Sequence, residues 1–194
     1  MREIVLASRN GGKLREMAEI AAAWGIRVVA LPDDVELPEE TGGTFLANAR
    51  LKARAAHAAT GRAVLADDSG LEVDALGGAP GIYSARFSGP GANDVTNNRL
   101  LLERLDGVAQ RTARYRAALV LAAGSLEWTA FGTWEGEILR SPRGEGGFGY
   151  DPVFWAPELG CSAGELGREE KSRHSHRGKA MRALCALLGP AALP

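Results

Sequence analysis

Two aspartates stand side by side, Asp67 and Asp68, at the end of the apolar run Ala63 to Ala66. Ser69 and Gly70 follow. A short apolar run ended by acids and a glycine reads as a buried strand whose carboxyl end carries chemistry. Neighbouring strand residues point to opposite faces, so the two carboxylates serve different partners. One suits a hard cation such as Mg²⁺, which takes oxygen ligands. The other suits bracing the turn. Adjacent carboxylates repel, and holding both ionised needs a metal, a basic group or backbone N–H donors. The plain alternative is a turn with two solvated acids, since Asp is a common turn former.

Cationic and glycine-rich stretches elsewhere fit an anionic ligand. Ser8-Arg9-Asn10-Gly11-Gly12-Lys13 joins a short apolar run, Ile4 to Ala7, to a helical pattern. The GxxxxGK[ST] pattern is absent, yet amides at a helix start beside a lysine attract phosphate oxygens. Gly77, Gly78, Pro80 and Gly81 build a fixed turn, because proline pins φ and glycine permits unusual φ. Arg86 follows among hydroxyls and aromatics, which suits phosphate.

A third stretch, RGEGGFGYDPVF from Arg143 to Phe154, exposes aromatics on glycines. Phe148 offers a stacking face for a flat heterocycle. The alternative is a hairpin turn with buried aromatics. Near the end, Ser175 fits a helix N-cap, which places His176 and Arg177 in the first turn. Cations there are electrostatically unfavourable unless an anion or polar ligand is present. Lys171 stands five residues before His176.

These residues need elements to hold them. The spacing of Leu14, Met17, Ile20 and Ala21 predicts a helix from Leu14 to Trp24. Val28 to Leu31 reads as a second strand, and Asp33 to Glu40 as an acidic loop. Either Glu39 or Glu40 suits a second metal ligand. Thr44 fits an N-cap for a helix from Phe45 to Ala59; Asn48 and Lys52 lie four apart on one face, and most of the helix's charges read as a solvated face. His57 on that helix reads as a plain surface or packed histidine. Asn93 or Asp94 caps a helix through Leu105. Ala113 to Ala123 and Leu126 to Thr133 read as a long hairpin around Gly124-Ser125, with Trp128, Phe131 and Trp134 as packing groups. Met181, Leu184, Cys185 and Leu188 bury one side of the last helix.

Composition narrows the partners. The net charge is −1, with 23 basic against 24 acidic residues. That argues against a nucleic-acid-wrapping protein, which carries a basic excess. No apolar run approaches a membrane span, and the first, Ile4 to Ala7, is too short for a signal peptide. The two cysteines, Cys161 and Cys185, have no metal-type spacing. A reducing cytoplasm is the expected home.

Four motifs stand in order: SRNGGK, ADDSGLEVDALGGAPGIYSARFSG, GGFGYDP and SHRGKA. Together they resemble the inosine triphosphate pyrophosphatase family, whose bacterial members are the dITP/XTP pyrophosphatases. The resemblance runs from Ile4 to Leu188. It implies an α/β fold, an elongated mixed central sheet flanked by helices, with two lobes and a nucleotide cleft between them. Residues 1–194 would form one such two-lobed domain. It also implies a homodimer and hydrolysis of ITP, dITP or XTP to the monophosphate and pyrophosphate with Mg²⁺, cleansing the nucleotide pool.

By position, the resemblance implies that Ser8, Arg9, Asn10, Gly11, Gly12 and Lys13 hold the phosphates. Glu39 and Asp68 would serve the metal, and Asp68 would be the base that activates water. Ser69 would touch the nucleotide. Phe148, Gly149, Tyr150 and Asp151 would form the base pocket, completed by Lys171, His176 and Arg177 at the 6-oxo edge. Two positions depart from the family pattern: Ala47 replaces a common glutamate, and His174 a common aliphatic residue.

Overall fold

The computed structural model describes residues 2–188, so both ends of the expected 1–194 span lie outside the described residues. Seven strands form one mixed sheet in the order β2-β1-β3-β4-β5-β6-β7. The strands are β1 (Arg2–Leu6), β2 (Ile26–Ala30), β3 (Val64–Val73), β4 (Thr112–Ala123), β5 (Leu126–Ile138), β6 (Phe154–Ala156) and β7 (Cys161–Ser162). The helices are α1 (Gly11–Ala22), α2 (Phe45–Thr60), α3 (Asp94–Arg104), α4 (Arg168–His174) and α5 (His176–Leu188). β1 pairs in parallel with β2 and β3, while β6 pairs antiparallel with β5 and β7. This is the α/β class that the sequence led us to expect.

The chain divides into two compact units. The first takes residues up to Asp68, Ala117–Gly132 and from His176 onward; the second takes Ser69–Arg116 and Thr133–Ser175. The first unit has an apolar cluster on each face of its strands. Leu65 and Leu6 pack with Met17, Ile20 and Ala21 of α1 and Met181, Leu184 and Cys185 of α5. Val64 and Ala66 pack with Ala49, Ala53 and Ala56 of α2. Residues of β3 therefore alternate between two helix layers, as a period of two requires.

The second unit closes around Trp134, Phe154 and Tyr115. Their ring centroids lie 4.6 Å apart for Tyr115 and Phe154, and 5.1 Å apart for Trp134 and Phe154. Such aromatic pairs add about 0.5–1.5 kcal/mol each beyond the area they bury. Leu101 and Leu105 from α3 complete that core.

Local signals set most helix starts. Asn10 caps α1, its side chain accepting from Lys13 N–H at 3.0 Å. Thr44 caps α2 through Ala47 N–H at 3.1 Å. Asn93 caps α3 in a reciprocal box with Thr96. Helix α1 starts at Gly11, earlier than expected, because Gly11, Gly12 and Lys13 form its first turn. Two expectations fail. β3 does not end at its acids but continues to Val73, since Leu71 and Val73 return to a core beyond them. Phe131 is not a packing group: its ring is exposed. Trp134 is fully buried, and Trp128 is partly buried against the α1/α5 layer.

Candidate active site

In the first unit the two aspartates face different cations. Asp67 shares its face with Leu65, toward α1 and α5. Its Oδ2 lies 2.7 Å from Lys13 Nζ and 3.1 Å from Arg177 Nε. Arg177 Nη1 also reaches Glu16 Oε2 at 2.7 Å. Burial alone would raise the Asp67 carboxyl, but the Lys13 ammonium and Arg177 guanidinium outweigh it and hold the group far below the usual carboxylate range. Burial pulls Lys13 down, with Arg177 and Lys52 adding to it and Asp67 opposing.

Asp68 points to the α2 layer. Its Oδ1 accepts from Lys52 Nζ at 2.9 Å and its Oδ2 from Asn48 Nδ2 at 3.2 Å. Lys52 Nζ also donates to Glu40 Oε1 at 2.7 Å and to the Asp67 carbonyl at 3.0 Å. Burial raises the Asp68 carboxyl above its ordinary value; Lys52 and Lys13 pull it down and Glu40 pushes it up. Burial acts against the Lys52 ammonium, yet Asp68 and Glu40 prevail and raise it. Asn48 and Lys52 are therefore not a solvated face: Lys52 is 6% exposed and Asn48 fully buried.

The glutamate beside Asp68 is Glu40; Glu39 is exposed to solvent. The donor set fits a hard divalent cation. Asp68 and Glu40 offer carboxylate oxygens already gathered around one positive charge, the Lys52 ammonium. Mg²⁺ uses one or two carboxylates and keeps several waters, so it needs no larger protein cage. Among the described residues no group of three or more His, Cys, Asp or Glu converges as a metal cage. Across the cluster, Lys13, Lys52 and Arg177 face Glu16, Glu40, Asp67 and Asp68. One negative charge is left over, and a divalent cation would turn the balance positive, as a polyphosphate ligand requires.

The SRNGGK loop leads into this cluster. Ser8 Oγ accepts from Asn10 N–H at 3.1 Å, and Asn10 caps α1. The amides of Gly11 and Gly12, in the first helical turn, have no intrahelical acceptor and suit a phosphate oxygen. Arg9 turns elsewhere. Its guanidinium donates to the carbonyls of Leu31 at 2.9 Å, Pro32 at 2.7 Å and Val35 at 2.6 Å. It anchors the acidic loop that carries Glu40, a role the sequence did not suggest.

Arg177 also differs from expectation. A cation in the first turn of α5 pointed to an external anion; the anions that hold it are the protein's own Asp67 and Glu16. Glu16 was missed, though it lies three residues after Lys13 on the same helix face. His176, at the head of α5, is buried, and its carbonyl packs so closely on Gly132 that a Cβ there would sit 2.0 Å away.

The second unit holds the aromatic segment. Asp151 is its hub. Oδ2 accepts from Phe148 N–H at 2.8 Å and from Lys171 Nζ at 2.6 Å, and Oδ1 accepts from Tyr115 OH at 3.3 Å. Lys171 Nζ lies 4.8 Å from the centre of the half-buried Phe148 ring. Tyr150 is buried and its hydroxyl donates to the Ser84 carbonyl at 2.7 Å; burial, with Asp94 nearby, pushes that hydroxyl well above its usual range. Ser69 is half-buried on β3. Arg86 stacks over Tyr83 at 5.0 Å. Helix α4, which carries Lys171, was not legible as a separate element.

Gly147 makes the hub possible. It has φ +77°, and a Cβ would lie 2.0 Å from Asp151 Oδ2. Gly147→Ala should therefore push the carboxylate off Phe148 N–H and Lys171. We expect a stability loss of about 2–4 kcal/mol, read as a lowered midpoint in urea. An unchanged midpoint would refute the close packing.

This α/β fold, with one cluster suited to a polyanion and another to a flat ring, defines a nucleotide-handling enzyme. Residues 4–187 match the Ham1 family, and the chain belongs to it. It is 53% identical over 191 residues to a dITP/XTP pyrophosphatase from an Exiguobacterium species, covering 97% of each chain. A dITP/XTP pyrophosphatase from Shigella flexneri is 52% identical over 190 residues, covering 95% of this chain and 96% of the relative. Among solved structures, a HAM1 protein from Coxiella burnetii superposes with a TM-score of 0.87 at 42% identity, covering 97% of this chain and 98% of that one.

Proposed function

We propose that this Ham1 protein hydrolyses ITP, dITP and XTP to the monophosphate and pyrophosphate, removing non-standard purines from the nucleotide pool. The observation that carries the reading is the split aspartate pair: Asp67 locked to Lys13 and Arg177, Asp68 held by Lys52 and Asn48. Asp68 accepts the proton of the water that attacks the α-phosphorus. A carboxyl raised by burial is a better base than a solvated one. Lys13 and the first amides of α1 hold the phosphate oxygens. Asp67 is not a base; it fixes the Lys13 ammonium. Ser8, Asn10 and Ser69 line the polar side.

Mg²⁺ is the metal of this reading: Asp68 and Glu40 would hold it, and it would supply charge neutralisation on the phosphates. Phe148 stacks on the purine, within the segment to Asp151, and Lys171 hydrogen-bonds the 6-oxo edge. A 6-amino group, as in adenine, or a 2-amino group, as in guanine, would be left unpaired or clashing, and each such buried polar group costs roughly 1–3 kcal/mol. The chain acts as a single pyrophosphatase domain, as a homodimer, in the cytoplasm. Among the described residues no helix is long and apolar enough to cross a membrane.

The experiment is pyrophosphate release from ITP, dITP, XTP, dATP, GTP and dTTP, with Mg²⁺ and then with EDTA. Metal-dependent turnover of the first three, with the others slow, is the expected result. Turnover mainly of dTTP would overturn the base assignment. Binding of ITP without turnover would make the protein a sensor.

A further inference from the structure

We propose that Asp94 and Asn98 are positioning residues for base recognition. From the first turns of α3 they hold the peptide groups of Gly149, and with them the Phe148 ring, in the orientation that receives a flat purine. The proposal rests on reading Phe148–Asp151 as the base-binding segment. Both groups of Gly149 are gripped by one helix: Asp94 Oδ2 accepts from its N–H at 2.7 Å, and Asn98 Nδ2 donates to its carbonyl at 2.9 Å. The two side chains are four residues apart, on one helix face. Asn98 Oδ1 is buried and accepts no hydrogen bond among the described residues. Flipping that amide would set oxygen against oxygen at Gly149, so the orientation is dictated by the clamp.

The helix that applies the grip is itself fixed. Its capping box closes the start, and Asn97 ties it to the segment from Ser84 to Ser88. Asn97 Oδ1 accepts from Ser88 N–H at 2.8 Å, and Nδ2 donates to the carbonyls of Ser84 at 3.3 Å and Ala85 at 3.2 Å. The Ser84 carbonyl also receives the Tyr150 hydroxyl. The segment Phe148–Tyr150 is thus held from several sides, although Gly149 has φ +66°, a conformation open to glycine and few others. Neither Asp94 nor Asn98 carries the stacking face or the activating carboxylate. Their loss should widen the range of ring positions and leave the chemical step alone.

The test is steady-state kinetics of Asn98→Leu and Asp94→Ser on ITP, XTP and GTP, with hydrogen exchange at the Gly149 amide. We expect KM for ITP to rise about 5- to 20-fold. We also expect kcat within about twofold of wild type, a smaller preference for ITP over GTP, and faster exchange at Gly149 in Asp94→Ser. Asp94→Asn, which keeps an acceptor, should restore KM to within about twofold. Wild-type KM and preference in a variant whose Gly149 amide exchanges faster would overturn the proposal. If Asn98→Leu does not fold, the Asp94 pair carries the same test. Failure of the underlying reading looks different: Phe148→Ala would then leave KM for ITP unmoved in an otherwise wild-type chain.

Discussion

Asp68→Asn will stop pyrophosphate release while leaving ITP bound. The substitution keeps the shape of the side chain and an acceptor for Lys52 Nζ, now 2.9 Å from Oδ1. It removes the site that takes the proton from water. A positioned general base contributes about 10²–10⁴-fold, and kcat should fall by that much. The fold should survive, because Lys52 still meets Glu40 and the Asp67 carbonyl, and burial already disfavours the Asp68 charge. Single-turnover hydrolysis and equilibrium binding of ITP separate the two effects. Turnover within threefold of wild type would remove Asp68 from the role of base. Glu40→Gln and Glu39→Gln, compared at varied Mg²⁺, then assign the metal ligand; only the Glu40 variant should need more Mg²⁺.

Arg177→Met should unfold the protein well before it damages the chemistry. Arg177 is 5% exposed, and its guanidinium joins Asp67 to Glu16. Removing it takes from two buried carboxylates, Asp67 and Glu16, the guanidinium that joins them. Breaking one partner out of a buried ionic group costs about 3–5 kcal/mol. For a chain of this size that lowers Tm by roughly 6–20 °C. Arg177→Lys should recover part of the loss, since one ammonium cannot fork to both carboxylates. Calorimetry of the three proteins decides it. A Tm within 3 °C of wild type for the methionine variant, with a large rise in KM for ITP, would return Arg177 to the base edge.

These two residues also mark what the sequence could and could not reveal. The aspartate pair was legible because adjacent strand positions must face apart, whatever surrounds them. Thr44, and the choice of Asn93 or Asp94, were legible as helix starts because capping is a local bond, closed within three residues; Asn10 was not, because the glycines after it hid the first turn of α1. Lys52 and Arg177 were misjudged because their partners lie far along the chain: Asp68 is 16 residues from Lys52, and Asp67 is 110 from Arg177. A charge on a helix reads as solvated until the opposite charge is known to be buried beside it. Glu39 and Glu40 differ by one loop position, where no periodicity says which side chain turns inward. Arg9 was drawn into the phosphate loop by its neighbours, although its bonds go to the carbonyls of residues 31–35. Phe131 shows the reverse error, an aromatic on a strand assumed to pack.

The alternation of Asp67 and Asp68 also guards the assembly of the sheet. β3 pairs with β1 through Val5 opposite Val64 and Leu6 opposite Leu65. A slip of one position would exchange the faces of the whole strand. In a strand of Val, Leu and Ala alone, such a slip would trade one apolar contact for another and cost little. Here it would carry each aspartate away from its cations. The charges thus act as a proofreading mark on strand pairing: misaligned chains meet an electrostatic penalty before the ligand site exists. An inserted residue between Gly61 and Ala63 should therefore be absorbed in the turn, and one between Leu65 and Asp67 should not be tolerated at all.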